Sequence, residues 1–113
     1  MKILSLIRDL IFSSKLRAAA SELGHDVISV RTLDQLSEAI TSPDIKLVVI
    51  DLGCGAFDPF SAIEQIRGSA PHLKLIAFYS HVEVELAERA GKISGLDLFT
   101  RSQFSMNVSE IIS

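Results

Sequence analysis

The chain has 113 residues and a formal net charge of −3 at pH 7, a length that suits one domain over residues 1–113. Its 11 Lys and Arg residues form no basic stripe, so nucleic acid is not a predicted partner. The only cysteine, Cys54, excludes an internal disulfide and a cysteine-based zinc site.

The N-terminal run MKILSLIRDLIF is apolar, but Arg8 and Asp9 interrupt it and no signal-peptide cleavage pattern follows. No stretch reaches the 18 or so apolar residues that a membrane span requires. We therefore expect a cytoplasmic protein without membrane contact. Within this run, KILSLI over residues 2–7 predicts the first strand.

Apolar residues then recur at helical spacing over residues 9–23, where Asp9 can cap the helix and Gly24 can end it. DVISV, residues 26–30, is β-branched and predicts the second strand. Thr32 and Gln35 form a T-x-x-Q capping box for a second helix, which Pro43 stops.

The run IKLVVI, residues 45–50, is almost wholly apolar, as is typical of a strand covered on both faces of a parallel sheet. Asp58 and Pro59 are cap and first-turn residues for a helix through Arg67. The remaining predicted elements are a strand over 75–79, a helix from the S-x-x-E box Ser80–Glu83 to about Ala90, a strand over 96–100 and a helix over 105–112.

Strand and helix thus alternate five times, and each parallel crossover should be right-handed. This order predicts a three-layer, doubly wound, flavodoxin-like α/β fold with strand order 2-1-3-4-5. Ligands of such sheets bind at the carboxyl ends of the strands, at the switch between strands 1 and 3. Asp51 ends the third predicted strand, so it is the first candidate site residue.

Four stretches of the chain, KILSLIRDLIFSSKLRAAASELGHDV, LVVIDLGCGAFDPFSAIEQIR, LIAFYSH and LFTR, resemble the receiver domains of bacterial response regulators, the CheY-like superfamily. The resemblance covers nearly the whole length. It implies that Asp51 occupies the position that accepts a phosphoryl group from a histidine kinase. It also implies helpers: two acids that hold Mg²⁺, a Thr or Ser, and a Lys.

The sequence departs from that pattern at almost every helper. The acidic pair falls on Ile7 and Arg8, and the lysine position carries Arg101. The hydroxyl position falls on Tyr79, or on Ser80 with a slip of one residue. Because Ile7 offers no ligand and Arg8 is cationic, Mg²⁺ should bind poorly. We therefore expect a pseudo-receiver without a cofactor.

Two arrangements of this pocket remain open from the sequence. In the first, Arg8 forms a permanent ion pair with Asp51, and Arg8 and Arg101 together imitate the missing charges. In the second, a shift of one residue aims Asp9 into the pocket, where Asp9 and Asp58 supply a rearranged metal site.

The resemblance also implies a partner surface on helix 4, strand 5 and helix 5, for which we name Val82, Val84, Leu98 and Phe99. A sensor histidine kinase, an output protein or a second copy of the chain are the expected partners, and we expect no enzymatic activity. The alternatives are a working phosphoacceptor at Asp51, which would need Mg²⁺, and a flavodoxin-like domain that binds a small ligand near Asp51. We expect Cys54 to be a small apolar filler.

Overall fold

The computed structural model describes residues 1–53 and 57–113, so the expectation for Cys54 lies outside the described residues. The strands are β1 (Lys2–Leu6), β2 (Asp26–Ser29), β3 (Ile45–Asp51), β4 (Lys74–Tyr79) and β5 (Leu96–Thr100). All neighbouring strands are parallel and lie in the order β2-β1-β3-β4-β5. The predicted flavodoxin-like strand order is confirmed.

Helices cover both faces of this sheet. They are α1 (Leu10–Glu22), α2 (Leu33–Ala39), α3 (Pro59–Ser69), α4 (Val84–Gly91), α5 (Arg101–Met106) and α6 (Val108–Ile112). Alternate residues of the central strands point to opposite faces. Val48 and Ile50 therefore pack in a cluster with α2, α3 and α4, whereas Leu47 and Val49 pack in a second cluster with α1, α5 and α6.

The predicted starts of the first three helices are confirmed by their caps. Asp9 accepts hydrogen bonds from the backbone N–H groups of Ile11 and Phe12 at the start of α1. Thr32 caps α2 in the same manner, and Asp58 caps α3 with Pro59 in the first turn. These side chains satisfy backbone donors that a helix start leaves without intrahelical partners.

The predicted start of the fourth helix is wrong. Glu83 occupies the N-cap position and α4 begins at Val84, so Ser80 lies in the preceding turn and does not cap the helix. Half of the S-x-x-E interaction is nevertheless present, because the Glu83 carboxylate accepts a 2.9 Å hydrogen bond from the Ser80 N–H. The glutamate thus stabilises the turn between β4 and α4.

The predicted helix over 105–112 is also wrong at its start. A helix begins at Arg101, immediately after β5, because Thr100 and Gln103 form a complete T-x-x-Q capping box, whereas Gln35 accepts from the Arg31 N–H and not from the N-cap Thr32. Asn107 then leaves the helical conformation, with φ −128° and ψ 26°, and separates α5 from α6. The early start of α5 has a consequence for the site, since it positions Arg101 at the carboxyl end of the sheet. Within the described residues, no helix has the length and apolar character needed to cross a membrane.

Candidate functional site at the end of β3

Asp51 is the last residue of β3 and is 3% exposed. It pairs in register with Phe78 of β4. The alternation of β3 places it in line with Leu47 and Val49, so its side chain lies on the sheet face that α1, α5 and α6 cover. The expectation that this carboxylate ends a buried strand is confirmed, and burial makes its charge costly unless it has partners.

Among the described residues, two groups donate hydrogen bonds to the Asp51 carboxylate. The backbone N–H of Gly53 donates to Oδ1 at 3.0 Å, and Nη2 of Arg101 donates to Oδ2 at 3.3 Å. Each carboxylate oxygen therefore has one partner from this part of the chain. The second contact is an ion pair between a side chain that is 5% exposed and one that is 35% exposed.

Aromatic rings and the start of α5 fix the position of Arg101. Its guanidinium carbon lies 4.6 Å from the centroid of the Phe12 ring and 5.9 Å from that of Phe78. Phe12 and Phe78 are themselves stacked, with centroids 5.2 Å apart. A guanidinium over such rings gains cation–π attraction and loses little further freedom when it pairs with a carboxylate.

Asp9 contributes to both the fold and the pocket. Its Oδ1 caps α1, while its Oδ2 accepts from Nη2 of Arg101 at 3.5 Å. The two oxygens of this one carboxylate therefore serve the helix cap and the pocket at the same time. Asp58 is not part of the pocket, because both its oxygens accept hydrogen bonds at the start of α3, from the Phe60 N–H and the Ser61 hydroxyl.

Glu83 is a third acid near Asp51 that the sequence did not assign to the pocket. Its carboxylate lies against Gly53, where an added Cβ would be 2.7 Å from Oε2. Gly53 therefore has no room for a side chain unless Glu83 moves. The S-x-x-E pattern was the available signal, but it predicted only a helix cap, and the approach to Gly53 depends on how the two loops meet in space.

The pKa of Asp51 is raised above its usual value. Burial is the main cause, and the negative charges of Glu83 and Asp9 act in the same direction. The Gly53 hydrogen bond and the positive charge of Arg101 lower the pKa without offsetting the burial. The pocket therefore contains one guanidinium among three carboxylates.

Arg8 is not the partner of Asp51. The side chain is exposed, and it takes part in none of the salt bridges found within residues 1–53 and 57–113. Ile7 is buried in the apolar cluster beneath α1 and α5, as its lack of ligand atoms suggested. The position of Arg8 after the first predicted strand favoured it as the partner of Asp51, but the side chain that reaches Asp51 is that of Arg101, 50 residues away in the chain.

The hydroxyl position is not brought to Asp51 either. Tyr79 is half-buried and packs with the cluster on the α2, α3 and α4 face, opposite to the Asp51 face. The backbone N–H of Ser80 is engaged by Glu83. Among the hydrogen bonds of the described residues, none joins either side chain to Asp51.

The four residues named for a partner surface fall into two groups. Val82 and Val84 are 72% and 57% exposed, on the turn before α4 and at its first residue. Leu98 packs with the apolar cluster beneath α4, whereas Phe99 packs with the one beneath α5. Because adjacent strand residues point to opposite faces, Leu98 and Phe99 do not form one surface, which corrects the predicted grouping.

The described residues around Asp51 do not fit a Mg²⁺ site. This ion prefers octahedral oxygen ligands, including one or two carboxylates. Within the described residues, no group of three or more His, Cys, Asp or Glu side chains is arranged to hold a metal ion. The Asp51 and Asp9 oxygens that face the pocket are instead directed at Arg101.

Comparisons with known proteins agree with this architecture. A response regulator from Thermotoga maritima matches with a TM-score of 0.78 and 18% identity, over 98% of this chain and 92% of that one. The receiver domain of NtrX from Brucella abortus matches with a TM-score of 0.77 and 19% identity, over 96% of this chain and 95% of that one. The signal receiver domain of a putative Luxo repressor protein from Vibrio parahaemolyticus has a TM-score of 0.78 and 14% identity, over 98% and 85% of the two chains.

A longer NtrX chain from Brucella abortus, solved with ADP, matches with a TM-score of 0.74 and 18% identity over 98% of this chain, which spans 28% of its length. No protein-family model and no curated protein matches the sequence. Identities of this size show the fold alone. The chain has the fold of the receiver domains of response regulators, with Arg101 paired to the aspartate at the end of β3.

Proposed function

We propose that this chain is a receiver-like module of two-component signal transduction that acts by binding a protein, with little or no Mg²⁺-dependent phosphorylation. The observation that supports this is the ion pair between Arg101 and Asp51. An internal guanidinium lies 3.3 Å from Oδ2 of Asp51, and in this proposal it competes with a metal ion or a phosphoryl group for the carboxylate. In this proposal the module is cytoplasmic, is not an enzyme and needs no cofactor.

Electrostatics supports an inert aspartate. Two like unit charges about 4 Å apart repel by roughly 4 kcal/mol at an effective dielectric near 20, so a divalent cation beside Arg101 would be disfavoured. Phosphoryl transfer relies on metal ions and positioned charges to offset the developing negative charge. Arg101 supplies one such charge, but it is already shared between Asp51 and Asp9.

The partner surface in this proposal is centred on Val82 and Val84, which flank Glu83. We place the surface here because both valines are more than half exposed and lie two residues apart at the start of α4. The carboxylate between them contacts the loop after Asp51 at Gly53. A kinase, an output protein or a second copy bound here would therefore touch a turn that is in contact with the Asp51 pocket.

A working phosphoacceptor is the second candidate, because one observation favours it. Asp9 directs Oδ2 into the pocket, so two carboxylates already lie within hydrogen-bonding distance of Nη2 of Arg101. Displacement of Arg101 would leave Asp9 and Asp51 as a partial ligand set for Mg²⁺.

An amide NMR titration of the intact chain with Mg²⁺, and then with beryllofluoride as a phosphoryl mimic, tests the two candidates. The proposal expects no saturable shifts at Gly53, Phe78 or Arg101. Saturable shifts clustered at these residues in the unaltered chain would overturn it and would establish a working acceptor.

The variant Arg101→Lys is the matched positive control. It replaces the guanidinium fork shared by Asp51 and Asp9 with a more mobile ammonium group, which can leave both carboxylates to a metal ion. We expect Mg²⁺ to shift the Gly53 amide in this variant only. An equal response in the variant and the unaltered chain would contradict the role of Arg101. This design is preferred over Ile7→Asp, which would bury a carboxylate in the apolar cluster.

A further inference from the structure

A groove of about 360 Å³ lies between α3 and the end of α4, on the sheet face opposite to Asp51. Its apolar part comprises Phe60 and Ile63, which are both buried, and the half-buried Ile93. Its polar lining comprises Glu64, Arg67 and Arg89. The groove thus combines an apolar base with two guanidinium groups.

Arg89 is positioned by the base of the groove. Its guanidinium carbon lies 4.0 Å from the centroid of the Phe60 ring. None of the hydrogen bonds or salt bridges found within residues 1–53 and 57–113 involves this exposed side chain. Stacking on the ring limits the motion of the guanidinium while its N–H donors remain available to an anion.

Arg67 is fixed more firmly. Its Nη2 donates a 2.8 Å hydrogen bond to the carbonyl oxygen of Ser94. The guanidinium also contacts Gly95, which has φ +77° and where an added Cβ would lie 3.0 Å from Nη2. Its Nε is buried and has no partner among the described residues. Arg67 therefore contributes a positive charge whose position is set by the turn before β5.

The residues that line the groove determine which kind of anion can bind there. Arginine forks suit a carboxylate, and the apolar base suits an adjacent aromatic or branched side chain. Glu64 lines the same groove and makes no salt bridge within the described residues, so it repels a densely charged polyanion. The net charge of −3 also disfavours nucleic acid.

We propose that the α3–α4 groove binds a segment of a protein partner in which an acidic residue lies next to an aromatic residue. The carboxylate pairs with Arg89, close to the positive charge of Arg67, and the ring packs on Ile63 and Ile93. The groove is separate from Asp51, so this proposal stands whether or not Asp51 accepts a phosphoryl group.

The test uses the intact chain and two neutral-ended dipeptides, acetyl-Asp-Phe-amide and acetyl-Asn-Phe-amide, which differ only in one charge. Amide NMR should show saturable shifts at Ile63, Arg89 and Ile93 for the first dipeptide, with a dissociation constant on the order of millimolar for so small a ligand. The second should bind about fivefold more weakly. Acetyl-Asp-Ala-amide should also bind more weakly, because it lacks the ring.

Variants of exposed residues locate the contact without threatening the fold. Arg89→Gln should weaken the binding of acetyl-Asp-Phe-amide about fivefold, and Glu64→Gln should strengthen it. Lys46→Gln is the matched control, because it removes one exposed positive charge outside the groove and should have no effect. Equal binding of the Asp and Asn dipeptides, or unchanged binding in Arg89→Gln, would overturn the proposal.

Discussion

Arg101 and Arg89 both lie against phenylalanine rings, and they differ in what their guanidinium groups contact beyond the ring. Arg101, 4.6 Å from the Phe12 centroid, donates to Asp51 and Asp9. Arg89, 4.0 Å from the Phe60 centroid, has no ion pair within the described part of the chain.

The difference shows that the neighbouring carboxylates, and not the aromatic contact, determine whether each guanidinium group forms an ion pair. Around Arg101, β3 and the start of α1 bring two carboxylates to one side of the ring pair. At the α3–α4 groove, Glu64 is the one acid among the described lining residues, and it forms no salt bridge with Arg89. One arginine therefore neutralises a buried charge inside the molecule, while the other presents its charge to solvent.

The largest effect should come from Arg101→Met. This change leaves Asp51 buried without its cation, and removal of one partner of a buried pair is strongly destabilising. Because Arg101 is itself partly exposed, we expect a loss of about 2 kcal/mol in the free energy of unfolding at pH 7, below the range for fully buried pairs. Urea unfolding measures it.

The pH dependence of the stability loss in Arg101→Met is the control for this prediction. Without Arg101, the pKa of Asp51 should rise further, since the arginine charge lowers it. The loss should therefore shrink as the pH falls and Asp51 becomes protonated. A loss that is independent of pH would indicate that Arg101 stabilises the chain by packing on Phe12 alone.

Asp51→Asn should have the next largest effect on the free energy of unfolding, and it should stabilise the chain. The amide keeps one acceptor oxygen, for either the Gly53 N–H or Arg101, and removes the charge that burial disfavours. Since the folded-state pKa is raised above 3.8, the folded chain binds the proton more tightly. Its stability then falls as the pH rises from about that value through the folded-state pKa.

We therefore expect Asp51→Asn to be more stable than the unaltered chain by about 1 kcal/mol at pH 7, with the difference vanishing at low pH. Urea unfolding at neutral and acid pH checks both points. Asp9→Asn is the matched control: asparagine also caps helices well, so stability should change little. A destabilised Asp51→Asn at pH 7 would show that the ion pair outweighs the cost of burial.

The sequence correctly predicted the strands and the caps of the first three helices, which depend on residues close together in the chain. It did not predict the ion pair that joins residues far apart in the chain. The apolar run before Asp51 predicted a buried strand, and Asp9 and Asp58 predicted helix caps, because each signal acts within a few residues. The resemblance placed Arg101 in the pocket, but the ion pair with Asp51 was assigned to Arg8, because the pattern did not indicate that α5 begins four residues earlier and positions Arg101.

Arg89→Met should have a small effect. The exposed side chain loses cation–π attraction to Phe60 and a favourable charge in the last turn of α4, each worth a few tenths of a kcal/mol to about one. Methionine regains part of this by packing on the ring, so we expect a loss of about 0.5 kcal/mol by urea unfolding. A loss as large as that of Arg101→Met would remove the distinction between the two arginines.

The smallest effect should come from Arg8→Gln, which separates the two arginines that the sequence offered as partners of Asp51. Arg8 is exposed and forms no salt bridge within the described residues, so unfolding free energy should change by less than about 0.5 kcal/mol. The Gly53 amide, which donates to Asp51, should keep its chemical shift, whereas Arg101→Met should move it. A shifted Gly53 amide in Arg8→Gln would mean that Arg8 reaches the pocket in solution, and the internal charge on Asp51 would then be shared by two residues.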